Sequence, residues 1–299
     1  MTEESSTDRS WTRWLKIVGT LISLGLLIWL LTRLDLQELL SIAAKVPIAV
    51  LLVSLALLTV RVLAHTFRWR SLLRGQRIYV PYRQLLGLQY GSFFASKFLP
   101  TTIGGDVIRL VGILRETSNR VGGAASIVVD RAMGAFGMLF VLPLSWPLLS
   151  GFLTTLGVAA GRVELPSSLR SAARRVWEAT ALWLESPASL VVALLASWVG
   201  IFCYFVFMWT LAQALGIDVS LIQVAGVTAV TYFIALMPFT INAYGLRELT
   251  VIAFYSSLGA STEQAAALAL LSRFLIVLSS FPGAYTVWGA FLRNRPKNE

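Results

Sequence analysis

One cysteine, one histidine and little charge set the first limits on this 299-residue chain. Cys203 lies in an apolar run, so an intrachain disulfide and a thiolate metal cluster are both excluded. His65 alone excludes multi-histidine zinc and haem sites. Charged residues make up 13% of the chain, where an average soluble domain has about 25%. No Asp or Glu occurs between Glu38 and Asp106. Against these deficits stand 57% apolar residues and a mean hydropathy of +0.74. That balance excludes disorder and a water-soluble globular fold. Uncharged runs at 132–161, 186–217, 219–246, 249–262 and 274–292 mark spans, since about 18 apolar residues cross a bilayer as a helix. The chain reads as an all-α polytopic membrane protein. Its net charge of +10 then belongs to cytoplasmic loops and anionic lipid, and no nucleic-acid-binding motif accompanies it.

Residues 1–14 form a polar tail, and 15–32 an apolar run behind Arg13 and Lys16. This run meets Arg33 without a small-x-small cleavage site, and the Ala-rich stretch at 41–44 comes too late. An uncleaved first span is expected. The second span is about 46–64, followed by the uncompensated cations Arg68, Arg70, Arg74, Arg77 and Arg83. The positive-inside rule makes 66–83 and the N-terminus cytoplasmic, with 33–45 an outside loop. Arg293, Arg295 and Lys297 hold the tail at 293–299 inside as well. The last span is then about 264–290, and span 188–212 runs outward from an inner loop carrying Arg162, Arg170, Arg174 and Arg175. Residues 132–161, with Pro143 and Pro147, are left to supply two short tilted crossings. A single membrane domain of six spans over 15–292 results, in the cell inner membrane.

Two segments break this regularity. In the first, Pro100-Thr101-Thr102-Ile103-Gly104-Gly105-Asp106 interrupts a stretch that starts and ends inside. In the second, Pro238-Phe239-Thr240-Ile241-Asn242-Ala243-Tyr244-Gly245 opens a short helix that ends near Leu258. They read as re-entrant hairpins at about 84–116 and 219–258, because broken backbone at membrane depth must pack in protein or line a polar cavity. Aligned without gaps, Pro100/Pro238, Thr102/Thr240, Ile103/Ile241 and Arg109/Arg247 coincide, with a Pro-to-Arg spacing of nine in each. Arg131 and Arg273 follow the motif arginines at offsets of 22 and 26. The halves, about 46–161 and 188–290, enter from opposite faces, which makes the repeat inverted.

Broken helices that meet near the midplane suit an anionic ligand, because half-helix N-termini carry partial positive charge. Gly104, Gly105 and Gly245 would let backbone approach it, and Arg109 and Arg247 would meet phosphate oxygens. Thr101, Thr102, Thr240 and Asn242 offer neutral hydrogen bonds. Other roles compete. Asp106 and Arg109 stand at i and i+3 and could pair, and Arg247 could pair with Glu248 or Asp130. An arginine at the bilayer centre nevertheless costs about 2.5–3.5 kcal/mol, which favours a functional reading. Asp130 and Arg131 are either interfacial anchors or part of the cavity. Glu248 is a candidate protonatable group, and Arg273 is the second-half partner of Arg131. Arg61 and His65 are expected to snorkel to the cytoplasmic surface, and Arg68-Trp69-Arg70 to form an interfacial anchor. Residues 167–185 read as an amphipathic surface helix anchored by Trp177 and Trp183. No catalytic constellation, P-loop, dinucleotide fingerprint or metal cluster appears, and no cofactor is expected.

Arg68-Trp69-Arg70 with Leu72-Leu73, then Leu99-Pro100 with Gly104-Gly105-Asp106 and Arg109, resembles the lysylphosphatidylglycerol synthase transmembrane-region family. Ala125-Ser126 with Asp130-Arg131, and Pro238 with Gly245-Leu246-Arg247-Glu248, are similar to two further family elements. The resemblance spans roughly 12–292. It implies a flippase-like membrane domain that elsewhere is fused to an aminoacyl transferase, or is associated with glycosyltransferase or isoprenoid-lipid pathways. Lysyl transfer is not expected of this chain, and it is not expected to be an enzyme. Asn242-Ala243-Tyr244 departs from the family's glycine-rich loop, so Tyr244 joins the candidate headgroup contacts.

The leading reading is a lipid transporter that moves an anionic phospholipid or polyprenyl-phosphate-type lipid between leaflets. A second reading is a non-transporting partner or regulator of a glycosyltransferase or lipid-modifying enzyme. A small-solute or ion transporter is the third.

Overall fold

The computed structural model describes residues 36–98, 104–146, 181–236 and 245–293, with a few single positions outside these stretches. The described residues form helices joined by short turns, with no strand among them. The elements are α1 (Leu36–Ala44), α2 (Ile48–Gly75), α3 (Tyr82–Phe98), α4 (Gly104–Glu116), α5 (Arg120–Leu139), a 3₁₀ turn (Leu142–Ser145), α6 (Pro187–Ala214), α7 (Leu221–Leu236), α8 (Leu246–Ser257), α9 (Thr262–Ser280) and α10 (Pro282–Arg293). Among them α2, α6 and α9 are long and apolar enough to cross a membrane. At 28 residues, α2 and α6 each reach about 42 Å. Their outer faces expose Ile48, Leu52, Val60, Leu195, Val199 and Phe202. Rows of exposed aliphatics on helices this long belong in lipid. The protein is an all-α polytopic membrane protein.

The α2–α6 pair is the backbone of the molecule, and it is antiparallel. Ser71 Oγ donates to the Ser189 carbonyl at 3.0 Å, Arg68 Nη1 to Ser197 Oγ at 2.9 Å, and His65 lies against Gly200. α3 and α4 form an antiparallel hairpin with glycine at the close approaches: Gly105 lies on Ser92 and Ser96, Gly91 on Ile108, and Gly112 on Leu88. α10 then crosses the same α3 surface, with Gly283 against the Tyr90 carbonyl and Phe94 stacked edge-on against Phe281. Small residues at such crossings are what bring helices together when no water drives them. The largest core joins α2, α6, α7, α8 and α9 around Phe207, Tyr255 and Leu268. A smaller one holds Trp69, Leu73, Leu85 and Ile113 between α2, α3 and α4.

Several expectations are revised. The second span does not stop at residue 64; α2 runs on through Arg68 and Arg70 to Gly75. It closes with Arg77 in the left-handed region (φ 57) and Ile78 N–H bonded back to the Leu73 carbonyl. The supposed outer loop at 33–45 contains α1, packed on α9. The last span is two helices, because Pro282 lacks the N–H that would continue the ladder. Trp183 is fully buried, donating to the Leu72 carbonyl at 2.8 Å, whereas Trp177 is exposed as an interfacial anchor would be. The first span (15–32), both hairpin bends and the second half of 132–161 lie outside the described residues, apart from a few single positions.

Candidate functional site

Two charged clusters lie inside the helix packing. The first is built by α2, α4 and α5 around Asp130, which is 1% exposed. Its Oδ1 accepts from Arg68 Nε at 2.6 Å, and its Oδ2 forms an ion pair with Arg109 Nη1 at 2.9 Å. Asp106, in the first turn of α4, lies 3.8 Å from Arg109 and pairs with Arg131 Nε. The Arg109 guanidinium stacks 4.2 Å above the Trp69 ring, and Trp69 Nε1 donates to Ser126 Oγ at 3.0 Å. Trp69 thereby holds the flat face of Arg109 and fixes which edge points away. Arg109 is 3% exposed, yet its Nε and Nη2 find no acceptor among the described residues.

That guanidinium borders a cavity of about 200 Å³. Its lining is polar: His65, Arg68, Gln89, Ser92, Ser96, Asp106, Asp130 and Arg131, with Gly105 and Phe93. Of the two roles left open by the sequence for Asp130 and Arg131, the cavity is where both are found, at the middle of α5. Arg68-Trp69 is not an interfacial anchor, since both side chains are buried in the cluster. His65 does not snorkel to the surface either; it borders the cavity from α2.

The second cluster joins α6, α8 and α9. Gly245 stands before α8 with φ 77, a conformation that favours glycine. Its N–H donates to Glu248 Oε2 at 2.9 Å. Glu248 Oε1 accepts from Arg273 Nε at 2.7 Å and from Arg247 Nη1 at 3.4 Å, and Arg273 Nη2 lies at ion-pair distance, 2.6 Å. Arg247 Nη2 also donates to Tyr204 OH (3.0 Å) and Ser272 Oγ (3.2 Å). Arg61 stacks 4.6 Å from the Tyr204 ring and lies within electrostatic range of both Arg68 and Arg247, so it connects the clusters. Lys97 sits over the Phe93 ring at 4.7 Å, close to Arg273 and Glu248.

The clusters share one spacing. Asp106 and Glu248 are each the third residue of a short helix, and each pairs with an arginine 25 positions later, Arg131 or Arg273. This register equates residue 106 with 248, four positions away from the motif alignment that equated Arg109 with Arg247. Both acids sit where a helix N-terminus favours negative charge, and Glu248 already takes up the Gly245 amide. Part of the N-terminal field expected to greet a ligand is therefore answered within the protein.

Residues 16–283 match the family described as lysylphosphatidylglycerol synthase TM region. The chain belongs to that family. No curated protein matches it. In this lysylphosphatidylglycerol synthase TM-region chain the expected pairing of Arg109 with Asp106 is the longer contact, and Asp130 is its closer partner. Arg247 pairs with Glu248, not with Asp130, among the described residues. Gly104 is buried, and the space beside Gly105 is filled by Ser92. Thr101, Thr102, Thr240, Asn242 and Tyr244 lie outside the described residues.

The residues missed from the sequence are Arg68, Trp69, His65, Ser92, Tyr204 and Ser272. For two of them, His65 and Arg68, the signal was present. Arg61, His65 and Arg68 fall at i, i+4 and i+7, one face of a helix, and a continuous helix past residue 64 would have put them together. Tyr204 and Ser272 gave no sign, being single polar residues in apolar helices.

Proposed function

We propose that this protein moves an anionic lipid, a phospholipid or polyprenyl-phosphate-type lipid, between the leaflets of the cell inner membrane, with both termini cytoplasmic. The observation that carries the reading is Arg109: a buried guanidinium, stacked on Trp69 and bordering a polar cavity, with two donors left over. A buried, unmatched donor is costly, and a phosphate oxygen is the acceptor that suits a guanidinium edge best. Charge count supports the same ligand. Six arginines (Arg61, Arg68, Arg109, Arg131, Arg247, Arg273) face three carboxylates (Asp106, Asp130, Glu248) across the two clusters. An anionic headgroup would offset that excess where water is scarce.

The cavity of about 200 Å³ suits a headgroup, with acyl chains left in the bilayer. In this reading the α3–α4 and α7–α8 hairpins are re-entrant and related as an inverted repeat. The Asp106–Arg131 and Glu248–Arg273 pairs act as equivalent latches, and a phosphate competing for one set of arginines loosens it while the other holds. The chemistry is binding and movement, with no bond made or broken.

The test is flipping of fluorescent phosphatidylglycerol, lysyl-phosphatidylglycerol and polyprenyl phosphate in proteoliposomes. Movement of one of them, lost in Arg109→Ala and in Arg247→Ala protein that still elutes as a single species, is the expected result. Equal movement in both variants, or none from folded wild-type protein, would overturn the reading. In the second case a non-transporting partner of a lipid-modifying enzyme or glycosyltransferase would take its place.

A further inference from the structure

A second concavity lies on the outer face of the α2–α6 pair and shares no lining residue with the polar cavity. It encloses about 460 Å³ and is lined by Val60, Leu63, Ala64 and Phe67 of α2, Val192, Leu195, Ala196 and Val199 of α6, and Tyr82. Its origin is local. Ala64 and Ala196 face each other where the helices meet, and their short side chains leave a trough between exposed ridges of Val60, Phe67, Leu195 and Val199. A flat lipid-facing surface would need no explanation. This one is grooved, and one end of it carries charge.

Along α2 the apolar stripe 60, 63, 64, 67 continues at helical spacing into Arg70 and Arg74. Tyr82 closes that end, its hydroxyl donating to the Leu63 carbonyl at 3.0 Å, and the Arg70 guanidinium lies 5.7 Å from the Tyr82 ring. Arg70 Nε is covered but has no acceptor, and no carboxylate pairs with Arg70 among the described residues. Arg74 and Arg83 are exposed beside it, in a part of the chain without Asp or Glu. Arg68, two residues earlier, points to the opposite side of α2 and is consumed by Asp130.

We infer that this groove is a binding site for an anionic glycerophospholipid, one acyl chain lying between α2 and α6 and the phosphate on Arg70. Length agrees with the chemistry. From Val60 to Arg70 is about 15 Å along a helix, half of a hydrocarbon core of about 30 Å, which is the reach of one tail in one leaflet. Charge agrees too, because no carboxylate among the described residues neutralises Arg70. The site does not depend on what occupies the polar cavity. A lipid held here packs against the two longest helices, next to the ends of α2 and α3.

The experiment uses the full chain in nanodiscs of equal phosphatidylglycerol and phosphatidylcholine, released into native mass spectrometry. Wild-type protein should retain phosphatidylglycerol over phosphatidylcholine by about fivefold, the selectivity of one cation at a membrane surface. Arg70→Gln should bring the ratio to about one, Arg70→Lys should restore part of it, and Val199→Trp, which fills the trough, should remove both lipids. The comparison is made in an Arg109→Gln background, so that lipid held in the polar cavity does not contribute to the ratio. A preference that survives Arg70→Gln in that background, or that Arg109→Gln alone abolishes, would overturn the assignment, the latter by placing the retained lipid in the polar cavity.

Discussion

Asp130 is the residue whose removal the structure makes most costly. It is 1% exposed and bridges two buried arginines, Arg68 at 2.6 Å and Arg109 at 2.9 Å. One such pair at about 4 Å between charge centres, with an effective dielectric of about 20, is worth about 4 kcal/mol, so two give about 8. Desolvating the ions takes back several kcal/mol of this. The Asp130→Asn side chain has the same shape and retains one acceptor. It turns an amide donor towards the second arginine and leaves two like charges facing each other. The expected loss is therefore about 3–5 kcal/mol, the range for breaking a buried pair from one side. The measurement is reversible unfolding from mixed micelles in rising dodecyl sulfate, followed by tryptophan fluorescence. Arg131→Gln is the control, because Arg131 is half exposed (52% of its side chain) and its loss should cost about 1 kcal/mol or less. Adding Arg109→Gln to Asp130→Asn should recover part of the loss, with a coupling of about 0.5–3 kcal/mol. An Asp130→Asn protein within about 0.5 kcal/mol of wild type would refute the reasoning, since it would mean that solvent or lipid headgroups already screen the cluster.

Substitutions at four more positions test the same packing. Glu248→Gln removes the charge that holds Arg273 and should cost about 3 kcal/mol in the same unfolding series; Glu248→Asp should fall between, its shorter side chain failing to reach both Arg273 and the Gly245 amide. Trp69→Phe loses the bond to Ser126 and the better cation–π face under Arg109, a loss of about 1–2 kcal/mol; an unchanged unfolding midpoint would separate Arg109 from Trp69. Gly283→Ala would press a methyl into the Tyr90 carbonyl and should cost about 1–3 kcal/mol. Gly259→Ala meets nothing within 4 Å but sits at φ 98, so it should cost about 1 kcal/mol from backbone strain alone, and thermal unfolding of both variants distinguishes crowding from strain.

Membrane character, helical class and family were legible in the residues themselves, because hydropathy and charge spacing are local properties that a bilayer reads one segment at a time. The starts of the helices at Gly104 and Leu246 were legible to within two residues for the same reason: proline and glycine act on their own turn. The motif also exposed Asp106, Arg109, Asp130, Arg131, Arg247, Glu248 and Arg273 as unusual charges in apolar surroundings. Which of them meet was not legible. Arg68 looked like a cytoplasmic surface charge because its partner Asp130 is 62 positions away, and the positive-inside rule weighs cations without knowing whether a carboxylate will reach them. Trp69 and Trp183 looked like interfacial anchors for a similar reason, since an indole that finds Ser126 or the Leu72 carbonyl is indistinguishable in sequence from one that finds a headgroup. The repeat shows the same limit. Sequence identity aligned Arg109 with Arg247, whereas the ion pairs align Asp106 with Glu248 and Arg131 with Arg273. Sequence determined which charges enter the membrane domain; helix packing alone decided which are neutralised, and left Arg109 and Arg70 with donors unmatched among the described residues.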